Sequence, residues 1–390
     1  MIVGNKKYSI IKRNMKKLIL FLLILTALSA CHNAANSFDN YDYSTVYFAY
    51  QYPVRTITLG EDIYDNSLDL QHKCQIQATI GGVYTTDHDV IIDFVVADTI
   101  CNGYNLVSSL VAGRTAADPT VAITPMPHDY YTLASNQIVI KKGDISGGVE
   151  VQLTDKYFAD PLAVKNQYVI PLLMTKVSGA DSILQGKPLN VGTHPRMLYT
   201  AGWSVAAKNY VLYAVKYINP WHGFYMRRGV DVLNGAISGT TYVNSSNVRH
   251  PVEVTTYDAA TDTKSADKYL NYLTTTSMTG LIFPVTLKNA TGTILKNAAG
   301  TNLVYNLNLT FDASGNCTVT SSNPTVFTAS GTGQFVKKGE KNSWGNVDRD
   351  VLYMNYSIND ISNNITVATK DTLVMRNRGV VMEQFTTVAK

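Results

Sequence analysis

The sequence has little charge and lacks the motifs that identify most enzyme classes. Charged residues make up 16% of the 390-residue chain, which has only four cysteines. It contains no G-x-S-x-G, no H-E-x-x-H, no glycine-rich phosphate loop and no C-x-x-C. Its seven histidines are scattered without the spacing of metal ligands. We therefore predict no catalytic residues, no metal site and no cofactor.

The excess of basic residues comes from the start of the chain. Residues 1–30 hold six basic residues and no acidic ones, which leaves 27 basic and 29 acidic residues in the rest. That remainder has no basic run and no Lys/Arg stripe, the features with which proteins hold phosphate backbones. Nucleic acid is therefore not a predicted partner.

The N-terminus has the pattern of a lipoprotein export signal. Lys16 and Lys17 precede an apolar run that ends in Leu28-Ser29-Ala30-Cys31. The run is too short to span a bilayer, which needs about twenty apolar residues. Its ending resembles a lipobox, which predicts that residues 1–30 are removed and that Cys31 carries a lipid. The alternative is an ordinary cleaved signal followed by an unmodified cysteine.

The rest of the chain has the composition and patterning of an all-β protein with two domains. Tyr, Thr, Val, Asn and Gly are abundant, which favours strands and turns. Residues 31–42 lack periodicity and predict a flexible tether. Short strands spaced by turns over residues 43–190 predict an immunoglobulin-like β-sandwich. After a cluster of glycine and proline, residues 197–390 predict an antiparallel β-barrel, lipocalin-like, or a second sandwich.

A few segments give the clearest local predictions. Residues 168–174 are continuously apolar, which predicts a strand covered on both faces, with Pro171 at an edge or bulge. Residues 303–311 and 317–320 alternate on either side of a turn and predict a hairpin. Residues 210–217 predict the opening strand of the second domain.

The cysteines after Cys31 leave two interpretations open. Cys74 and Cys101 both lie in the first domain and could form a disulfide in an oxidising compartment. Each also lies in or beside a strand-like segment, so two buried free thiols are equally compatible with the sequence. Cys317 has no partner in its own domain, and we expect it to be buried.

Several segments resemble two-domain lipoproteins of the Bacteroidetes, which are encoded beside glycan-import systems of the starch-utilisation type. The segments are residues 52–60, 155–161, 166–172, 181–186, 219–229 and 371–379. The first four resemble an N-terminal domain of unknown function that also precedes some secreted family 18 glycosidases. The last two resemble the domain that replaces the glycosidase in the lipoproteins. All six are typical of strands, turns and domain packing.

This resemblance implies a location and a role. The protein is expected to be lipid-anchored in the outer membrane and to face the cell exterior. There it would bind a polysaccharide or glycoprotein glycan without cutting it, as an accessory to an importer complex. Two alternatives stay open: a structural or adhesive surface lipoprotein, such as a fimbria-like subunit or host-matrix adhesin, and a hydrolase with an unrecognised site.

Exposed aromatic side chains beside polar groups are the features that predict glycan binding, because sugar C–H faces stack on aromatic rings. The first candidate is the polar loop that contains Asn342, Trp344 and Asn346, although Trp344 could instead fold back onto its own domain. Trp203, Trp221 and Tyr225 are further candidates. Trp221 has a structural alternative, since it resembles the aromatic residue that plugs the closed end of lipocalin-like barrels.

The hydrolase alternative depends on paired carboxylates. Asp87 and Asp89 flank a histidine, and Asp348 and Asp350 flank an arginine. Either pair could divide into acid and base if a partner lay within about 5 to 10 Å. A solvated turn is the simpler interpretation of both pairs.

Overall fold

The computed structural model describes residues 40–108, 120–249, 270–289, 293–343 and 345–390. Cys31 and Trp344 lie outside these residues. The described chain is almost entirely β, with a sandwich in its first region and a closed antiparallel barrel in its second. The predicted fold class is confirmed, and the barrel is the correct one of the two forms considered for the second domain. None of the described helices is long and apolar enough to cross a membrane.

The strands before the barrel are β1 (Thr45–Tyr47), β2 (Pro53–Thr58), β3 (Lys73–Gly81), β4 (Val90–Val96), β5 (Tyr104–Ser108), β6 (Val121–Ala122), β7 (Thr124–Pro125), β8 (Tyr131–Leu133), β9 (Gln137–Ile140), β10 (Ser146–Leu153), β11 (Tyr168–Ser178), β12 (Ser182–Ile183), β13 (Lys187–Pro188), β14 (Trp203–Val205) and β15 (Tyr210–Ile218). The helices are α1 (Ser67–Leu70) and α2 (Asp155–Ala159), and short 3-10 turns cover Asp98–Cys101, Pro161–Val164 and Thr200–Gly202.

The strands that follow are β16 (Gly223–Ile237), β17 (Thr240–Arg249), β18 (Leu270–Thr275), β19 (Gly280–Thr286), β20 (Val304–Phe311), β21 (Asn316–Ser321), β22 (Phe327–Ser343), β23 (Val347–Asp360), β24 (Ile365–Asn377) and β25 (Glu383–Ala389).

Two sheets face each other in the sandwich. One has the order β12-β1-β3-β10-β8, and the other has the order β6-β5-β25-β2-β15-β11-β4-β9, with β7 beside β11. Alternate residues of each strand point inward, and their side chains form one apolar core that includes Ile76, Val151, Ile92 and Ile170. Helix α2 ends at Ala159, before Pro161 begins the next 3-10 turn.

Strand β15 corrects the predicted start of the second domain. It pairs with β11 on one side and with β2 on the other, so it lies in the middle of the sandwich sheet. The last strand, β25, also returns from the barrel to pair with β2 and β5. The prediction that residues 210–217 open the second domain is wrong, because a local apolar pattern does not specify which sheet a strand joins.

Strand β11 is covered on both faces, as predicted, but it is not an edge strand. Val169, Ile170 and Leu172 are fully buried. Pro171 falls where the neighbour on one side changes from β7 to β4. A residue without an N–H fits such a gap in the ladder. The irregularity in pairing lies further along, between Met174 and Lys176.

The barrel is a serial meander that closes on itself. Strands β18 to β24 pair in chain order, and β16 pairs with both β18 and β24. The predicted hairpin is β20–β21, in which Leu309 lies opposite Val319. Closure leaves no free edge among these eight strands. Strand β17 extends the barrel as the partner of the far half of β16.

A balanced charge cluster occupies the middle of the barrel. Arg227 Nε donates to Asp371 Oδ2 over 2.8 Å, and the Tyr356 hydroxyl donates to the same oxygen over 2.8 Å. Arg249 pairs with both Asp231 and Asp371. Burial raises the pKa of Tyr356 well above its ordinary value. Because each carboxylate meets an arginine, the cluster can stay buried in its ionised form.

The three described cysteines are free and buried. Cys74 and Cys101 are therefore two buried free thiols and do not form a disulfide with each other. Burial raises the pKa of Cys74 to about 12, so this thiol stays protonated at neutral pH.

Candidate glycan-binding site

A groove runs across five strands on the outer face of the barrel. Its lining residues include two parallel rows of outward side chains. The first row is Thr310, Thr318, Thr332, Asn355 and Lys370. The second row is Asn316, Gln334, Tyr353 and Thr372.

The alternation of strand side chains creates the groove. Between the two rows lies a third, Phe311, Cys317, Gly333, Met354 and Asp371, which faces the barrel interior. The outer surface therefore dips between the polar rows, and the depression has a volume of about 790 Å³. Five strands at spacings of about 4.8 Å give it a length of about 19 Å, enough for an oligosaccharide rather than a single sugar.

Tyr353 is the aromatic side chain of the groove. It is 39% exposed, and its hydroxyl donates to Glu340 Oε1 over 2.8 Å. Arg228 pairs with the same carboxylate. Burial and the hydrogen bond to Glu340 raise the pKa of Tyr353, so its hydroxyl is protonated at neutral pH. The ring is thus held in place while part of its surface faces solvent.

Polar side chains without partners surround this ring. Gln334 lies opposite Tyr353 on β22, and Asn355 lies two residues further along β23; both are exposed. Lys370 is exposed on β24, opposite Asn355. Within the described ranges, none of the three side chains makes a hydrogen bond or ion pair. An exposed ring with free amide and ammonium donors nearby can stack on a sugar and pair with its hydroxyl groups.

The two regions are joined by a buried arginine that directly follows β24. Arg378 Nε donates to the carbonyl of Glu61 over 2.7 Å, and Nη1 donates to the carbonyl of Pro220 over 2.6 Å. Its guanidinium occupies the space that a Cβ on Gly60 would need. Gly60, Pro220 and Arg378 all belong to the resembling segments, so those segments do serve domain packing.

Two family models each match one region of the chain, and one solved structure matches both regions. A family model described as a domain of unknown function, DUF5627, matches residues 220–379, which contain the barrel strands. A model described as an N-terminal domain matches residues 38–181. A crystal structure of a Bacteroides ovatus protein of unknown function is 42% identical, with a TM-score of 0.74, over 90% of this chain and 100% of that chain.

This chain belongs to the same two-domain Bacteroides family. Two other crystal structures align with this family member at low similarity. A multidomain Bacteroides ovatus protein that includes DUF1735 is 11% identical over 87% of this chain and 97% of that one, with a TM-score of 0.39. An auxiliary nutrient-binding protein of Bacteroides thetaiotaomicron is 13% identical over 83% and 90%, with a TM-score of 0.34. No curated protein matches the chain.

The barrel buries one predicted ligand residue. Tyr225 is fully buried, and its hydroxyl donates to the carbonyl of Trp221 over 2.7 Å. Its strand position points into the barrel, so its surroundings do not support the predicted ligand contact. Trp221 is half-buried and stacks on Phe311, with ring centroids 4.2 Å apart and planes 9° apart. This packing favours the plug interpretation of Trp221.

Trp203 lies on β14, which pairs with β13 in a small sheet outside the barrel. It is half-buried and packs against a small apolar cluster that includes Tyr104, Tyr210 and Phe385. Its Nε1 donates to the carbonyl of Arg196 over 3.1 Å. Because its N–H is already bonded and one face is packed, it has little left with which to bind a sugar. The ligand role of Trp203 stays a prediction without support from its surroundings.

The predicted loop residues lie at the end of the β22–β23 hairpin, which also supplies the centre of the groove. Asn342 and Asn346 are exposed and have positive φ angles of 43° and 55°. Asparagine tolerates this left-handed conformation better than most residues, which gives both a structural reason to be there. Trp344 lies outside the described residues, so its role stays a prediction.

The paired carboxylates anchor turns. Asp89 pairs with Lys141 over 2.8 Å, and Asp348 pairs with Lys341 over 2.8 Å. Asp350 accepts the backbone N–H of Lys338 over 2.8 Å. This agrees with the simpler interpretation of both pairs as solvated turns. Among the described residues, no three His, Cys, Asp or Glu side chains are grouped so that they could hold a metal ion.

Proposed function

We propose that the protein is a non-catalytic glycan-binding lipoprotein of the outer membrane, and that it binds its glycan in the groove of the barrel. Cys31 would carry the lipid that anchors it, with the protein facing the cell exterior. Bound glycan would then pass to an importer of the starch-utilisation type and to its partner enzymes.

The observation that carries this proposal is the exposed, fixed ring of Tyr353 among unpartnered polar side chains. A ring that is already held by Glu340 loses little conformational freedom when a sugar stacks on it. The amides of Gln334 and Asn355 are not committed to the fold, so they can exchange water for sugar hydroxyl groups. A groove of these dimensions suits an extended polymer segment.

Calorimetric titration of the mature protein against a broad glycan panel tests the proposal. Tyr353→Ala should weaken binding by about 1 to 3 kcal/mol, the range of a central aromatic contact, which is about a 5- to 150-fold rise in Kd. Tyr353→Phe should retain most of the affinity, because the stacking surface is preserved. The matched control is Tyr64→Ala, which removes a tyrosine that is 70% exposed in the sandwich region.

Trp344→Ala belongs in the same series. A loss of affinity with unchanged thermal stability would extend the site from the groove to the hairpin end. Normal affinity with an early melt would make Trp344 a packing residue.

Other outcomes would replace the proposal. If no glycan in the panel binds, the adhesive or structural alternative becomes the better one. Release of shortened products from a bound glycan would instead favour the hydrolase alternative.

A further inference from the structure

We propose that the groove selects acidic glycans, and that Lys370 is the residue that contacts their carboxylate or sulfate groups. This inference rests on the proposed function and assigns the class of ligand. It follows from the distribution of charges along the groove, in which Lys370 is the lining cation and has no ion-pair partner among the described residues.

Lys370 lies on β24 at the end of the first polar row. Its side chain is exposed, and it has no ion-pair partner among the described residues. The adjacent Asp371 cannot neutralise it, because that carboxylate points into the barrel and is bonded to Arg227, Arg249 and Tyr356. The Lys370 ammonium therefore faces the groove with its charge uncompensated.

Two other carboxylates line or border the groove: Glu340 has an ion-pair partner, and Asp312 has hydrogen-bond partners but keeps its negative charge. Glu340 pairs with Arg228 beside Tyr353. At the opposite end, Asp312 accepts the backbone N–H groups of Ser314 and Asn316 and the side-chain amide of Asn316. These hydrogen bonds lower the pKa of Asp312 and tie the carboxylate into its own turn. The β24 end of the groove is thus the positive end.

An anionic sugar bound at this end of the groove would give Lys370 an ion-pair partner. An ammonium is a compact charge with three donors, and the amide of Asn355 lies on the neighbouring strand position. A carboxylate or sulfate can accept from both, while the ring of Tyr353 packs against the sugar face. Lys141 and Lys341, which are exposed elsewhere in the protein, are each paired with an aspartate.

The test uses pairs of probes that share a backbone and differ in charge. Oligogalacturonate and its methyl ester test for a carboxylate, and chondroitin sulfate and desulfated chondroitin test for a sulfate. The wild type should bind the more acidic member of at least one pair about three- to tenfold more tightly, and 0.5 M salt should reduce that preference. Lys370→Gln should abolish the preference without lowering the melting temperature.

Lys142→Gln is the control, because Lys142 is exposed in a turn of the sandwich region. It should leave the preference unchanged. If both members of each pair bind equally and Tyr353→Ala weakens both, the groove binds glycan but the role of Lys370 is refuted. The same conclusion follows if only uncharged glycans bind. If no glycan binds at all, the proposed function and this inference fall together.

Discussion

His222 should make the stability of the protein depend on pH. It is buried beside the junction of the two regions, where Nδ1 accepts the backbone N–H of Thr275 over 3.0 Å and Nε2 lies 2.8 Å from the Tyr272 hydroxyl. Because Nδ1 accepts a hydrogen bond, the neutral ring carries its hydrogen on Nε2. Burial, together with the charges of Arg378 and Lys216, lowers the pKa of His222 to about 3. An unperturbed histidine has a pKa of about 6.5.

The sign of the effect follows from these two pKa values. Below about pH 6.5 the unfolded chain takes up a proton at His222, and the folded protein does not until about pH 3. The stability that the neutral ring contributes is therefore complete above pH 6.5 and is lost as the pH falls. Between pH 6.5 and pH 5 the free energy of unfolding falls by about 2 kcal/mol, at about 1.36 kcal/mol per pH unit.

Urea unfolding of the wild type and His222→Asn at pH 7 and pH 5 measures this effect. Asparagine cannot titrate, and its Oδ1 can still accept the Thr275 N–H. The free energy of unfolding of the wild type should fall by about 2 kcal/mol more than that of the variant, because the carboxylates contribute equally to both. If His222→Asn does not fold, His222→Gln serves instead. Equal pH dependence in wild type and variant would refute the buried neutral histidine.

Three further predictions concern packing, domain structure and anchoring. Trp221→Ala should lower the free energy of unfolding by about 3 kcal/mol, because it removes the ring stacked on Phe311; an unchanged urea midpoint would contradict the plug interpretation. A fragment that ends at Gly192 should fail to fold, because it lacks β15 and β25 of its sheet; a cooperative thermal melt of that fragment would show otherwise. Cys31→Ala should be soluble and unacylated in cells, and radiolabelled lipid on this variant would rule out the predicted anchor.

The local structure could be predicted from the sequence because it depends on alternation. The inward face of β20, with Tyr305, Leu307 and Leu309, is apolar at every second residue, and these side chains are buried in the barrel. Short-range turn chemistry likewise indicated the hairpin. The sheet that β15 joins could not be predicted, since its partners β2 and β11 are separated from it by loops and other strands.

The groove was missed for a related reason. Tyr353 and Tyr356 lie on the same strand with opposite orientations, so aromatic content alone did not indicate which one faces solvent. Alternation from Leu352 to Ile358 does place Tyr353 and Asn355 on the outer face, and this signal could have identified them. Their proximity to Gln334 and Lys370 depends on the register of three strands, which only long-range pairing sets.

The most direct test of the central claim is a crystal structure of the protein with a glycan that binds it in solution. A sugar ring should stack on Tyr353, with its hydroxyl groups paired to Gln334 and Asn355 and the polymer lying across the strands. A glycan bound in the sandwich region, or at the barrel with the Tyr353 ring uncovered, would contradict it.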